Sequence, residues 1–78
     1  MTAQTVATPG LFGFRTVFDA TGLVVGWLRR TTVDVPHGPG RKVKRAWEFD
    51  SADPRTECLH LDTFATPKIA AQEIGKLL

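Results

Sequence analysis

The sequence predicts one small α+β domain, an antiparallel sheet of three to four strands packed on one C-terminal helix. Three observations predict it. Seventy-eight residues leave room for a single core. Ten Thr, seven Val and two Ile lean the chain toward strands. The last twelve residues carry a helical apolar stripe behind a Thr-Pro start.

Residues 1–10, MTAQTVATPG, are uncharged and end in Pro9-Gly10, so they are expected to be a flexible tail or an edge segment outside a domain of residues 11–78. Phe12, Phe14, Thr16 and Phe18 then alternate with Gly13, Arg15 and Val17, the period of a strand. Asp19 and Gly22 bracket a four-residue type I turn, and Leu23–Val33 forms the second arm of a hairpin. Pairing Phe18 with Leu23 and Phe14 with Trp27 collects Phe12, Phe14, Phe18, Leu23, Val25 and Trp27 on one face. Aromatic area marks that face as the core. Arg15, Val17, Gly26, Leu28 and Arg30 then face outward.

Asp34–Lys42 holds Pro36, Gly38, Pro39 and Gly40 and is expected to be a loop. Val43–Asp50 is a third strand, with Trp47 and Phe49 inward and Lys44, Ala46 and Glu48 outward. Ser51–Glu57 contains Asp53-Pro54 and turns the chain into a short fourth strand over Cys58–Thr63, with Leu59 and Leu61 inward. Thr66 is a good N-cap and Pro67 suits the first helical position. Ile69, Ala70, Ile74, Leu77 and Leu78 make the apolar stripe, and the aromatic sheet face is its expected target.

A formal charge of +2 conceals an uneven distribution. Residues 29–45 hold Arg29, Arg30, Arg41, Lys42, Lys44 and Arg45 against Asp34, whereas residues 48–62 hold five carboxylates against Arg55. Such a field steers anionic partners. Arg15, Arg30 and Lys44 project from the expected outer face beside Gly13, Gly26 and Ala46, where a flat polyanion can approach closely. The run Arg41-Lys42-Val43-Lys44-Arg45 follows a Gly-Pro-Gly stretch and suits a phosphate backbone, although it lacks the G-x-x-x-x-G-K-[ST] phosphate loop. Against this stands the plainer alternative of a solvated face and a charge-guarded edge strand.

Other chemistries find little support. Cys58, His60 and Asp62 share a face if they lie on a strand, and His37 completes four zinc-ligand types, but paired Cys-x-x-Cys or His-x-x-x-His elements are missing. No metal or cofactor is expected. The one serine, Ser51, lies in a turn, and no asparagine is present to orient His60, so an enzyme is not expected. The longest strongly apolar run, Leu23–Leu28, is far too short for a membrane span of about twenty residues. No Lys or Arg precedes Arg15, which argues against a secretory leader, and one cysteine without a partner fits a cytoplasmic protein.

The expected order of three strands and a Thr-Pro-capped helix, with Gly22, Gly26-Trp27 and Trp47-Glu48-Phe49, resembles the arm-type N-terminal DNA-binding domain of phage integrases. It also resembles the plant ethylene-response type of DNA-binding domain and short orphan proteins of actinobacterial phages. The first two imply a three-stranded sheet inserted into the major groove, with Arg15, Arg30 and Lys44 facing DNA. Glu48 on that face and the acidic block after it depart from the pattern. The expected function is a small non-enzymatic module that binds nucleic acid through Arg15, Arg30, Arg41, Lys42, Lys44 and Arg45. The alternative is a phage-encoded module that binds or inhibits a host protein, and a homodimer is compatible with either.

Overall fold

A computed structural model describes residues 2–78. It contains one antiparallel sheet in sequential order, β1 (Gln4–Ala7), β2 (Phe14–Phe18), β3 (Val24–His37), β4 (Gly40–Ser51) and β5 (Thr63–Phe64). A 3-10 helix spans Pro54–Leu59 and a single α-helix, α1, spans Pro67–Gly75. The α+β class and the C-terminal helix are as expected, with five strands in place of three or four. Of the two readings of the N-terminal residues, the edge segment is the one the structure forms, since Gln4–Ala7 pair with Arg15–Phe18.

Local chemistry explains most boundaries. Asp19 closes the first hairpin by accepting hydrogen bonds from the Thr21 N–H at 2.9 Å, the Thr21 hydroxyl at 2.6 Å and the Leu23 N–H at 3.0 Å. Gly22 supplies the positive φ of 87° that the turn requires. Thr66 caps α1 by accepting from the Ile69 N–H at 3.1 Å, with Pro67 at the first turn as its sequence predicts.

The hairpin register corrects the sequence expectation. Phe14 pairs with Arg29, Thr16 with Trp27 and Val17 with Gly26, and a bulge near Phe18 inserts Val25 as an extra residue on β3. On β2 and β3 the buried face is the one expected to face outward, presenting Val17 and Leu28. These pack with Phe49, which points inward as expected, and with Val25, turned inward at the bulge, against Ala70 and Ile74 of α1. The supposed core aromatics lie outside it, with Phe12 93% exposed and Phe14 and Trp27 more than a third exposed. Gly26 is the physical reason. A Cβ there would overlap the Asp50 carbonyl and the Phe49 ring, so the small residue marks close packing and not an open surface.

Two further expectations are overturned downstream. Asp34–Lys42 is no loop, because β3 and β4 stay paired from Gly26–Ser51 to His37–Gly40. Only Gly38 and Pro39 turn the chain. Gly38 has a φ of 56° and Pro39 is held at negative φ by its ring, the sign pattern of a type II′ hairpin turn. Residues 58–62 are not a strand, and only Thr63 of the expected fourth strand is extended, as the start of β5. Cys58 and Leu59 end the 3-10 helix, and Leu61, at a φ of 67°, redirects the chain so that its N–H donates to the Phe49 carbonyl at 2.7 Å before β5 begins.

Candidate nucleic-acid interface

The long β3–β4 hairpin outruns the rest of the sheet. β2 accompanies β3 only as far as Arg29, where the Arg30 N–H adds one bond to the Gly13 carbonyl at 3.1 Å, and β5 accompanies β4 only at Trp47 and Glu48. Beyond those points Thr31–His37 and Gly40–Ala46 pair with each other alone. The result is a two-stranded ribbon about 20 Å long at ~3.3 Å per residue. It accounts for the elongated molecule, with extents of 47 × 28 × 17 Å. Pro36 is tolerated within it because Pro36–Arg41, one pair beyond the His37–Gly40 pair that closes the turn, is a non-hydrogen-bonded pair whose backbone nitrogen points away from the partner strand.

The cations sit on one strand of this ribbon. Arg41, Lys42, Lys44 and Arg45 belong to β4 and are all exposed, while the facing part of β3 reads Thr-Thr-Val-Asp-Val-Pro-His. Strand parity divides them. Arg41 and Arg45 lie on the face shared with Arg30 and Arg15, whereas Lys42 and Lys44 lie on the opposite face. The expected trio of Arg15, Arg30 and Lys44 is therefore split, with Lys44 on the far side from the two arginines. Asp34, opposite Val43, shares the arginine face and lies diagonally between Arg41 and Arg45.

Arg15 and Arg30 are ordered in different ways. Arg15 donates to the Thr5 hydroxyl and to the Thr5 carbonyl, both at 3.3 Å, and so ties β2 to β1. Arg30 lays its aliphatic stem over Gly13, which has a φ of 80°, and its guanidinium carbon stands 5.5 Å from the Phe12 ring centroid and 5.4 Å from that of Trp47. These are cation–π contacts. They also give Phe12 an attachment despite its exposure.

Internal pairing engages part of the acidic block, Glu48 and Asp53, and leaves Asp50, Glu57 and Asp62 without a Lys or Arg partner among the described residues. Glu48 accepts from Arg29, 2.7 Å from its Nε. Arg55 reaches Asp53 at 2.9 Å and Asp19 at 3.0 Å, joining the 3-10 helix to the first hairpin turn. The Thr21 hydroxyl and then Arg55 hold the Asp19 carboxyl well below the usual range, and Arg55 does the same for Asp53. Arg55 is itself held above its ordinary value by Asp53 and Asp19. Among the described residues, by contrast, Arg41, Lys42, Lys44 and Arg45 have no carboxylate within salt-bridge distance.

Ser51, Cys58 and His60, the residues the sequence offered for chemistry, are engaged separately. The Ser51 hydroxyl donates to the Asp53 carbonyl at 3.0 Å and lies 2.8 Å from Thr56 Oγ1, while His60 Nδ1 accepts the Ser51 backbone N–H at 3.1 Å. The imidazole thus meets main chain and not the hydroxyl. Cys58, His60 and Asp62 are distributed over the 3-10 helix and the turn after it, and His37 closes the ribbon tip, so the strand face that would have grouped them does not exist. Among the described residues no three His, Cys, Asp or Glu side chains gather as a metal site, and no helix is long and apolar enough to cross a membrane.

The ribbon is the feature that sequence reading missed. Its signal is the Gly38-Pro39 turn pair preceded by the β-branched run Thr31-Thr32-Val33 and Val35. No family model matches the chain, and no curated protein or solved structure matches it.

Proposed function

We propose that the protein is a non-enzymatic module that binds double-stranded DNA through the β3–β4 ribbon. One observation carries this reading, a protruding strand whose four cations, Arg41, Lys42, Lys44 and Arg45, have no carboxylate within salt-bridge distance among the described residues. A B-form major groove about 12 Å wide admits a two-stranded ribbon, whereas the major groove of A-form RNA is too narrow. With the charge confined to β4, one ribbon edge follows a phosphate backbone, and the arginine face, carrying Arg41 and Arg45, turns toward the groove floor. The mode differs from that of the domains the sequence resembles, since a ribbon takes the place of a three-stranded sheet. A single exposed Cys58 fits a cytoplasmic site of action.

Fluorescence anisotropy with a labelled 20-bp duplex tests the proposal. The variant Arg41→Gln/Lys42→Gln/Lys44→Gln/Arg45→Gln is expected to lose at least about a hundredfold in affinity at 100 mM salt, since each phosphate contact contributes to counterion release. Its thermal midpoint should stay near that of the parent, because the four side chains are exposed and form no ion pair among the described residues. Equal affinity of variant and parent refutes the reading.

A second reading rests on the opposite face of the sheet. Leu11, Phe14 and Trp27 are exposed there beside the Arg29–Glu48 pair, and an apolar surface of this kind suits a protein partner such as a host target. Capture of one stoichiometric protein, resistant to nuclease and abolished by Trp27→Ala, would favour it over DNA.

A further inference from the structure

We propose that Arg30 is a base-reading residue that recognises the N7/O6 edge of guanine at the root of the ribbon. The inference deepens the DNA-binding reading above and rests on it. Four observations carry it. First, Arg30 is held where the ribbon cations are not: its stem packs on Gly13 and its guanidinium faces the Phe12 and Trp47 rings at 5.5 and 5.4 Å. Second, no hydrogen-bond acceptor among the described residues engages its guanidinium, so an ordered fork of N–H donors is left for a ligand. Third, strand parity places it on the same face as Arg41 and Arg45, the face that the ribbon reading turns to the groove floor. Fourth, depressions open on both sides of it, one lined by Arg15, Phe12 and Gly13 and the other by Arg45, Thr32 and Ala65.

The flanking rings decide between the two acceptor types that a guanidinium fork fits. The face of an aromatic ring carries the negative end of its quadrupole, which disfavours a phosphate brought against it. A guanine base carries no net charge, presents two acceptors to a fork in one plane, and keeps its own faces available to neighbouring rings. Ring contacts also leave less side-chain freedom to be lost on binding, the condition under which a polar contact discriminates well. Arg41, Lys42, Lys44 and Arg45 lack such support and suit the phosphates, which carry no sequence information directly.

The test uses the full chain and three labelled 20-bp duplexes, one of alternating G·C pairs, one of alternating A·T pairs, and the G·C duplex with every guanine replaced by 7-deazaguanine, which lacks the N7 acceptor. The parent protein is expected to bind the G·C duplex about tenfold more tightly than its 7-deaza counterpart. Arg30→Lys keeps the charge and is expected to erase that preference, its affinity for the G·C duplex falling about tenfold to the level of the 7-deaza duplex. Phe12→Ala, at a residue too exposed to affect folding, is expected to reduce the preference partway. Salt-dependent binding by the parent with no preference between G·C and 7-deaza duplexes overturns the role of Arg30 and leaves the ribbon reading standing. A preference that survives Arg30→Lys overturns it equally. Failure of the parent to bind any of the three duplexes overturns the ribbon reading and this one with it.

Discussion

Replacing Gly26 with alanine asks the fold which face of its sheet is inside. Gly26 sits on β3 opposite Ser51 and beside the buried Phe49. A Cβ at this position would overlap the Asp50 carbonyl oxygen and approach Phe49 Cε1 to 2.5 Å and Cζ to 2.8 Å. The obstruction includes backbone, so relief requires β4 to move or the Phe49 ring to leave its position. Overpacking of this kind costs about 1–3 kcal/mol. In a domain of this size each kcal/mol is worth roughly 4–8 °C, so Gly26→Ala is expected to lower the thermal midpoint by about 5–20 °C in a circular-dichroism melt. The double variant Gly26→Ala/Phe49→Leu should recover part of that loss relative to Phe49→Leu alone, because the shorter side chain vacates the contested space. The opposite parity, with Gly26 on the open face, makes a different prediction of opposite sign. There a Gly→Ala change would stabilise by about 0.4–1 kcal/mol through the unfolded chain. A midpoint that rises or holds would refute the packing described for β3 and β4.

Three other outcomes follow from single contacts. Asp34→Asn removes the one carboxylate from the ribbon's arginine face and is expected to tighten duplex binding about twofold, the scale of an exposed charge interaction of ~0.5 kcal/mol, as read by anisotropy at fixed salt. Asp19→Asn is expected to lower the thermal midpoint at neutral pH. Because the Asp19 carboxyl titrates below its ordinary range when folded, its stabilising contribution is complete above about pH 4 and drains away as pH falls toward the folded value. The gap between parent and Asp19→Asn should therefore narrow from pH 5 to pH 2, and a gap that widens would contradict the Thr21 and Arg55 contacts. Thr66→Ala deletes the N-cap of α1 and is expected to cost about 1 kcal/mol, measured by chemical denaturation with an unchanged m-value.

Local rules made several elements legible before any coordinates. The Asp19–Gly22 turn and the Thr66-Pro67 helix start each follow from chemistry within a few residues, and both occur where expected. Parity was not local. Ranking the two hairpin faces by aromatic area chose Phe12, Phe14 and Trp27, yet the packed layer needed side chains that fit under α1, and Val17, Leu28 and Phe49 do so only because Gly26 makes room. The glycine was visible in the sequence, but its meaning depended on which residue of β4 faced it. The bulge at Val25 added a second obstacle, since one extra residue breaks the alternation on which register reasoning depends. The ribbon was hidden for a different reason. Two prolines and two glycines between residues 36 and 40 carry strong breaker signals, and a tight Gly-Pro turn with flanking strands contains the same residues as a loop. For the candidate site, the cationic side chains were legible as composition, whereas their division between two faces and the confinement of Arg30 by two rings required the fold.

The central claim is that the β3–β4 ribbon is the surface that meets DNA. Amide resonance shifts in uniformly 15N-labelled protein, followed during titration with a 20-bp duplex at low salt, test it most directly. The account predicts that the largest shifts cluster at Arg30–Thr32 and Arg41–Trp47, with Thr16, Trp27 and Asp50 on the open sheet face unmoved. Shifts concentrated at Phe14 and Trp27, with the ribbon silent, would contradict it.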